Sequence, residues 1–473
     1  MNREEMLKLE KEEIITLLFA IIQQQAEKIA ELEVRLNQNS KNSSNPPSSD
    51  KYKKPKSMRK TSEKKAGGQP GHEGSGLTMT QTPDFGKIHE PAQCARCDKA
   101  GVCPATKYIN ETRYEIDIEI KPIVTAHQTL WGMCPRINEI ITGEFPAGMN
   151  STVQYGVNLE ALAISLNTIG MVSINRTHEI LNGVFGVPIS TGTIAGMIKD
   201  CAQSVSGTVS DIEKAIVEEP VVHYDETGTR VDKRMKWAHV ASSATLTYIS
   251  VEEKRGRAGM DSAGILPGYS GTGIHDCWGS YFSYHKMRHG LCCAHLLREL
   301  TAVTENHRQE WAQKLSDLLI GMKHAKEALI LQDQQEAPPH LLERYSRAYD
   351  AILIEAQAAN PVLPKDPTKK GRPKRGKVGA LVDRLALRKE NILLFFWDFS
   401  VPFDNNQAER DFRMFKVKQK VSGCFRTDGG ADDFAAIMSF VGTARKRGIS
   451  AFLAIRDALL GFPFSLKLPV ATE

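Results

Sequence analysis

The sequence predicts a mixed α/β fold in which a helical segment interrupts a sheet-containing core. Short apolar, strand-like runs end at acidic residues: residues 221–224 precede Asp225, and residues 273–275 precede Asp276. A third acid, Glu409, lies near the start of a basic helical segment, and 132 residues separate it from Asp276. A gap of that length is too long for a loop in a compact domain, so it must contain folded structure.

The composition is that of a globular protein rather than a disordered one. The 473 residues are 41% hydrophobic and 25% charged, which suits about two to four domains with a sizeable core. The net charge of +5 excludes no class of partner, but the basic residues come in runs. No apolar stretch approaches the roughly 20 residues that span a bilayer. Because the acidic N-terminus is unlike a signal peptide, we expect a cytoplasmic protein with no membrane partner.

Residues 1–38 are predicted to form an N-terminal coiled-coil helix. Seam residues recur at alternating steps of three and four, and Gln25 is the polar one among them. The seam consists of Ile15, Leu18, Ile22, Gln25, Ile29, Leu32 and Leu36. This pattern predicts self-association through residues 15–36. An amphipathic helix that packs against its own protein is the alternative.

Residues 39–83 are predicted to form a basic flexible linker. Its first part is rich in Asn, Ser and Pro and cannot bury apolar surface. Residues 51–65 contain eight lysines and arginines against the single acid Glu63. Such an arm suits contacts with DNA phosphates, but lysine-rich linkers also occur for solubility, and both interpretations stay open.

Residues 84–150 are predicted to form a cysteine-rich, zinc-finger-like domain. Four of the nine cysteines lie there: Cys94, Cys97, Cys103 and Cys134. Cysteines of a cytosolic chain indicate metal ligands or buried thiols rather than disulfides. Four thiolates suit one structural Zn²⁺, but Ile137 stands where a second Cys-x2-Cys pair needs a cysteine, so a metal-free form of the same fold is the alternative. The apolar alternation at positions 114, 116, 118 and 120 predicts a strand.

Residues 151–215 are predicted to form helix-turn-helix-like DNA-binding helices. Apolar residues recur with a helical period, a turn follows at 185–188, and Ser190 is a good N-cap for the last helix. In a helix-turn-helix protein, the N-terminal residues of that last helix enter the major groove. The helix carries few base-reading side chains, so plain packing of the same geometry is the alternative.

Residues 216–295 switch to strand patterns and are predicted to form the first part of the core. The segments 237–240 and 246–251 are predicted to pair as a hairpin. A meander followed by a strand and a helix fits an RNase H-like α/β core, with Asp225 on its first strand and Asp276 at the next buried one. Cys292 and His295 have the spacing of a metal pair, but a buried small residue and a near-site histidine are the simpler interpretation.

Residues 296–400 are predicted to form a helical insertion with a basic loop. Apolar stripes run through residues 311–329 and 341–356. Between residues 369 and 377 the chain is rich in Lys, Arg, Gly and Pro, a composition that suits a narrow minor groove. We expect Arg372, Lys374 and Arg375 to contact DNA there, and a solvated loop is the alternative.

Residues 401–450 are predicted to form a Glu-bearing helix that completes the core, and residues 451–473 a C-terminal tail. Asn405 is the expected N-cap of that helix. Glu409, Arg413, Lys416 and Lys420 follow at steps of four, three and four and so share one face. An acid with cations beside it suits a site for an anionic backbone, although a surface ion pair has the same spacing.

The three acids predict a metal site, although any one of them alone could be an ordinary turn residue. Converging carboxylates stay ionised only when a cation neutralises them. Mg²⁺ binds carboxylate and phosphate oxygens together, and two ions about 3.5–4 Å apart can hold both reacting oxygens of a phosphodiester. We expect Asp225, Asp276 and Glu409 to be catalytic and to bind two Mg²⁺ or Mn²⁺ ions, with water rather than a side chain as the nucleophile.

Several motifs, taken together and in order, resemble the transposases of the insertion-sequence-66 family. They are the Asn- and Ser-rich segment 39–50, Gly-Gln-Pro-Gly-His-Glu-Gly at 68–74, the cysteine region, Asp-Glu-Thr at 225–227, His-Asp-Cys-Trp at 275–278, Cys-x2-His at 292–295 and Asn-Asn-Gln-Ala-Glu-Arg at 405–410. The resemblance implies a bacterial, nucleoid-associated enzyme of the DDE type with Asp225, Asp276 and Glu409 as its triad. It also implies cleavage at the ends of a mobile element, strand transfer into target DNA, and accessory proteins encoded by the same element.

Two other functional classes stay open at this level. A DNA-binding regulator or decayed transposase would bind DNA through the helix-turn-helix and basic segments without chemistry. A structure-selective nuclease on the same core would cut DNA but never join it.

Overall fold

The computed structural model describes residues 11–39, 41–43, 83–89, 91–95, 108–118, 120–146, 148–362 and 375–466. Its helices are α1 (Lys11–Leu36), α2 (Ala92–Ala95), α3 (Val157–Thr168), α4 (Ile174–Gly183), α5 (Thr191–Ile216), α6 (Arg257–Ser262), α7 (Cys293–His307), α8 (Glu310–Ile330), α9 (Pro339–Ala359), α10 (Gly376–Leu387), α11 (Lys389–Trp397), α12 (Asn406–Ser422), α13 (Asp428–Lys446) and α14 (Ala451–Leu459). Its strands are β1 (Trp131–Cys134), β2 (Glu139–Thr142), β3 (Val221–Val231), β4 (Arg234–Ser242), β5 (Thr247–Glu252), β6 (Thr272–His275) and β7 (Arg288–Leu291).

The chain divides into two compact units. One unit is Ser57–Val124, and the other combines Met1–Lys56 with Thr125–Glu473. The described part of the smaller unit contains the short helix α2 and extended backbone. Its apolar alternation from 114 to 120 predicted a strand, and that prediction is wrong for the residues described there. Alternation stabilises a strand only when a neighbouring strand accepts its hydrogen bonds.

A five-stranded mixed sheet forms the centre of the larger unit. Its strand order is β5-β4-β3-β6-β7. Strands β3, β4 and β5 pair antiparallel, whereas β6 and β7 add in parallel on the other side of β3. The predicted hairpin between residues 237–240 and 246–251 is confirmed by the pairing of β4 with β5.

The parallel half of the sheet is buried on both faces, which explains its small and apolar residues. All four residues of β6 are buried. A side chain at Gly273 would overlap the sulfur of Met287, so the Met287 side chain would have to move to admit one. The close packing of Met287 against Gly273 helps to fix the position of β6 and therefore of Asp276, which follows it.

Helices fill the long gap between Asp276 and Glu409, as the sequence predicted. Helices α7 to α11 share one apolar core with the end of the sheet. The stripe that starts at Trp311 is buried at Trp311, Leu315 and Met322. A lysine also enters this core: the Lys326 Nζ donates to the carbonyl oxygens of Phe395 (3.0 Å) and Val401 (2.7 Å).

A second apolar core joins segments that are far apart in sequence. Helices α3, α4 and α5 pack there against α13 and α14. Leu181, Ile194, Phe440 and Ile455 are fully buried in it. The helices before the sheet and the last helices of the chain are therefore stabilised by the same contacts.

Helix α1 exposes most of its predicted seam. The side chains of Ile22, Ile29 and Leu36 are 59%, 56% and 84% exposed. Among the described helices, none combines the length and apolar character needed to cross a membrane.

Candidate active site

Two aspartates lie on neighbouring parallel strands: Asp276 directly follows β6, whereas Asp225 lies within β3, which continues to Val231, and not at a strand end as predicted. Strands β3 and β6 pair with His223 opposite Ile274. Asp225 and Asp276 each follow these partners by two residues, so the continued register places them side by side. The carboxyl ends of parallel strands are the edge of an α/β sheet at which ligands bind.

The third predicted acid, Glu409, lies in the first turn of α12. Its Oε1 is 3.6 Å from the Arg298 Nη2 and 3.9 Å from the His295 Nε2. Both partners lie on α7, one helical turn apart. The start of α12 therefore faces the start of α7 across the site.

Asn405 joins α12, which carries Glu409, to β3, which carries Asp225. Its side chain accepts a hydrogen bond from the His223 Nδ1 (2.8 Å) and donates to the carbonyl oxygen of Tyr224 (2.8 Å), both on β3. Its backbone N–H donates to the Sγ of Cys292, which precedes α7 (3.1 Å). Asn405 is 1% exposed, and the next turn of the helix begins with the Glu409 N–H donating to its carbonyl oxygen.

The expectation that the Asn405 side chain caps α12 is wrong. Asn405 occupies the N-cap position, but its side chain makes no cap hydrogen bond. The buried groups of β3 use both ends of its amide, because an unpaired buried donor or acceptor costs more than a vacant cap.

A cavity of about 290 Å³ opens beside Asp276. Charged and polar residues from several elements line it together with apolar ones. They include Asp276, His295, Arg298, Glu299, Arg384 and Ser43. A polar cleft with convergent charged groups at the end of a sheet fits a binding site for a charged ligand.

The electrostatic environment of Asp225 favours the binding of a proton or a cation. Burial, together with the nearby carboxylates of Glu226 and Asp276, raises the pKa of Asp225 to about 7. Lys416 on α12 opposes this shift. A carboxyl group held in this state binds either a proton or a cation near neutral pH.

His295 and Cys292, predicted to lie near the site, have different environments. Burial and the neighbouring Arg298 lower the pKa of His295, and its Nδ1 is buried without a hydrogen-bond partner in the described residues. Burial raises the pKa of the Cys292 thiol to about 12. Both residues line the cavity, Cys292 as a buried thiol and His295 as a partly buried ring.

Sequence reasoning missed a polar network behind the aspartates. Glu226, whose side chain is 1% exposed, accepts hydrogen bonds from the Tyr281 Oη (2.5 Å) and the Arg255 Nη2 (2.8 Å). The Arg255 guanidinium stacks on Trp278, 4.2 Å from the ring centroid. The Trp278 N–H donates to the Asp276 Oδ1 (2.9 Å). The network therefore connects the residue after Asp225 with the loop that holds Asp276.

The predicted basic face of α12 is exposed. Arg413, Lys416 and Lys420 are all accessible to solvent, whereas Phe412 and Phe415 are buried on the opposite side of the helix. Lys416 lies close enough to Asp225 to influence its pKa. The cationic face is thus continuous with the site.

The described residues contain no cluster of three or more His, Cys, Asp or Glu side chains arranged to hold a metal ion. Of the four predicted zinc ligands, Cys97 and Cys103 lie outside the described residues. Cys94 lies on α2 and Cys134 ends β1, and both are free thiols.

The predicted basic loop lies mostly outside the described residues, which exclude Arg372 and Lys374. Arg375 precedes α10, and its guanidinium binds both carboxylate oxygens of Asp383 (2.9 and 2.7 Å) and the carbonyl oxygen of Asn360 (2.9 Å). The hydrogen bonds of its guanidinium are therefore made to other residues of the protein.

The last helix of the segment predicted to resemble a helix-turn-helix begins where the sequence predicted. The Ser190 Oγ accepts a hydrogen bond from the Thr193 N–H (3.0 Å), which caps α5. Thr191 and Gly192 in the first turn are exposed. Because α5 continues for 26 residues into the apolar core, its exposed N-terminus is rigidly attached to the sheet.

Comparison with known families decides the relationship. The family model described as "Transposase IS66 family" matches residues 152–433, more than half of the chain. The chain belongs to this family. Membership implies a transposase role with DNA binding and a nuclease or transesterase type of activity. A family of unknown function (DUF6444) matches residues 1–78, and a search of the curated proteins gives no match.

Proposed function

We propose that this IS66-family chain is a DDE transposase that cleaves DNA at the ends of its element and joins them to target DNA. In this proposal, Asp225, Asp276 and Glu409 are the catalytic triad on an RNase H-like core. The observation that carries it is the continued register of β3 and β6, which puts Asp225 beside Asp276, together with Glu409, which lies 3.6 Å from the Arg298 that lines the same cavity as Asp276. The family match covers all three acids.

The donor set fits divalent ions such as Mg²⁺ or Mn²⁺. The ligands are hard carboxylate oxygens, and Mg²⁺ in proteins typically uses one or two carboxylates together with substrate phosphates. Asp225 provides a buried carboxyl group with a pKa of about 7, whose proton a cation can replace. When bound, such ions supply an activated water and neutralise charge on the reacting phosphate.

The residues around the acids prepare the site for an anionic strand. Arg298 lies between Glu409 and the cavity, and Lys416 approaches Asp225 from α12. Both cations stabilise phosphate oxygens as negative charge develops on them. The network of Glu226, Arg255 and Trp278 holds the backbone beside Asp276, so its carboxylate stays in place.

Alanine replacement of each proposed triad residue tests the chemistry. With a labelled duplex that carries the element ends, we expect Mg²⁺-dependent nicking and joining by the wild type. The reaction should stop with EDTA and fall by at least about 10³-fold in Asp225→Ala, Asp276→Ala and Glu409→Ala. Glu218→Ala removes an exposed acid on another surface and should leave the rate unchanged.

Several outcomes of this assay would contradict the proposal. Nicking by a triad variant at clearly more than about 10⁻³ of the wild-type rate would remove that residue from the triad. Cutting without joining would favour a nuclease. DNA binding without either reaction, even after addition of the accessory proteins, would favour a regulator.

We also propose that the exposed face of α12 binds the DNA backbone. Each lost phosphate contact should reduce the slope of log affinity against log salt by about 0.9. We therefore expect Lys416→Ala and Lys420→Ala to weaken binding of any duplex and to lower this slope. Arg347→Ala makes the same charge change on α9 and should have no effect. An unchanged slope in both lysine variants would exclude the face from the interface.

Self-association through α1 is the third part of the proposal. One set of seam positions, seven residues apart, holds Ile15, Ile22, Ile29 and Leu36. The other set holds Leu18, Gln25 and Leu32. Isoleucine in the first set with leucine in the second favours parallel dimers. We expect Ile22→Asp to shift the sedimentation profile from dimer to monomer at micromolar concentration. Gln24→Asp introduces the same charge beside the seam and should preserve the dimer. A monomeric wild type would refute this assignment.

A further inference from the structure

The residues that follow α1 form a specific turn, although their composition is that of a linker. The Asn39 N–H donates to the Asn42 Oδ1 (2.8 Å), and the Lys41 N–H donates to the Asn39 Oδ1 (2.8 Å). The Ser43 Oγ donates to the Asn39 carbonyl oxygen (2.6 Å). We call Asn39, Lys41, Asn42 and Ser43 the docking turn.

Asn42 is the buried centre of the docking turn. This residue is only 5% exposed. Its Nδ2 donates to the Asn37 carbonyl oxygen (2.9 Å) and to the Glu305 Oε2 on α7 (2.7 Å). Burying an amide is favourable only when its hydrogen bonds are made, and a bond to a carboxylate is among the stronger ones.

The docking turn also reaches the candidate active site. Ser43 lines the same cavity as Asp276, His295 and Arg298. Glu305 and His295 lie on the same helix, so Asn42 anchors the turn to the element that contributes His295 and Arg298 to the cavity. Asn42 and Ser43 thus connect the end of α1 to the cavity.

We propose that the docking turn is a positioning element for the DNA strand. Asn42 fixes it to α7 through Glu305, and the turn forms one wall of the cavity against which the strand lies. This inference rests on the proposed function for its substrate. It assigns a role to part of the region that matches a family of unknown function.

A charge-rescue pair tests the docking. Asn42→Asp replaces the donor with a carboxylate that repels Glu305 but keeps the Oδ1 acceptor for the Asn39 N–H. In the double variant N42D/E305Q, the new amide donates to the new carboxylate and restores the link to α7, whereas the bond to the Asn37 carbonyl oxygen stays lost in both variants. Asn37→Asp adds the same charge at an exposed neighbouring position and is the matched control.

Two measurements distinguish the docking of the turn from its contact with DNA. We expect hydrogen exchange at the Asn39 and Lys41 amides to accelerate about tenfold or more in N42D and to slow again, toward the wild-type rate, in the double variant. In the metal-dependent nicking assay, we expect N42D to raise KM for the duplex about fivefold to tenfold with kcat within about twofold. The double variant should restore KM, and N37D should match the wild type in both readouts.

Two results would overturn the inference. Wild-type exchange in N42D would mean that the turn is not held by Glu305. Accelerated exchange with an unchanged KM would mean that the turn docks but does not contact the DNA. A wild type that fails to nick any duplex would contradict the proposed function, and the exchange experiment would still test the docking.

Discussion

Asparagine in place of the aspartate at position 225 should abolish DNA cleavage and, at the same time, stabilise the metal-free protein at pH 8. Burial and neighbouring carboxylates raise the pKa of Asp225 from its ordinary value of 3.8 to about 7. Between these pH values the folded protein binds a proton that the unfolded chain has lost, so its stability falls as the pH rises from about 4 to about 7. Above pH 7 the full penalty is present, and Asp225→Asn removes it, which stabilises the fold by up to about 4 kcal/mol.

The midpoint of thermal unfolding, measured without metal at pH 5 and pH 8, checks this prediction. The gain from Asp225→Asn should be larger at pH 8 than at pH 5. Mg²⁺ should raise the midpoint of the wild type but not that of the variant, because a ligand stabilises only the state that binds it. Asp211→Asn changes an exposed acid and serves as the control. Equal midpoints for Asp225→Asn and the wild type at pH 8 would contradict the electrostatic account of the site.

Alanine at position 405 should damage both the fold and the catalysis. Asn405→Ala leaves the His223 Nδ1 and the Tyr224 carbonyl oxygen without their partner. Each buried group left unpaired costs about 1–3 kcal/mol, so we expect a loss of about 2–5 kcal/mol in the free energy of unfolding. Because Asn405 also fixes the start of α12, we expect kcat for nicking to fall by about 10²-fold through displacement of Glu409.

Urea unfolding and single-turnover nicking measure these two effects separately. Asn406→Ala is the matched control, since it changes the adjacent position of the same helix and leaves the contacts to β3 intact. A variant at position 405 that is destabilised but nicks at the wild-type rate would show that the network supports the fold without positioning Glu409.

The sequence predicted those features that follow from local pattern. The strand-like segments 237–240 and 246–251 indicated the hairpin, and β4 pairs with β5 there. The apolar stripe from Trp311 indicated the helices between Asp276 and Glu409. Ser190 indicated the start of α5, because an N-cap is a contact between residues three apart.

The same reasoning failed where a pattern needed a distant partner. Asn405 has the sequence context of a cap, but its amide binds residues 181 and 182 positions away. DNA contact by Arg375 stays a prediction, and in the structure Asp383 and Asn360 bind its guanidinium. The alternation from Tyr114 to Ile120 has the period of a strand but no strand in the described residues.

The sequence by itself determined which residues are candidates for chemistry, because acids that follow apolar runs and cations that share one helix face are local properties of the chain. Only the tertiary structure decided how these residues are held. The pairing of β3 with β6 brings Asp225 beside Asp276, and Glu226 and Arg255 support that loop from behind. Asn42 joins the end of α1 to α7. Each of these contacts depends on distant segments that become neighbours only when apolar surfaces are buried together, and periodicity within one segment carries no information about them.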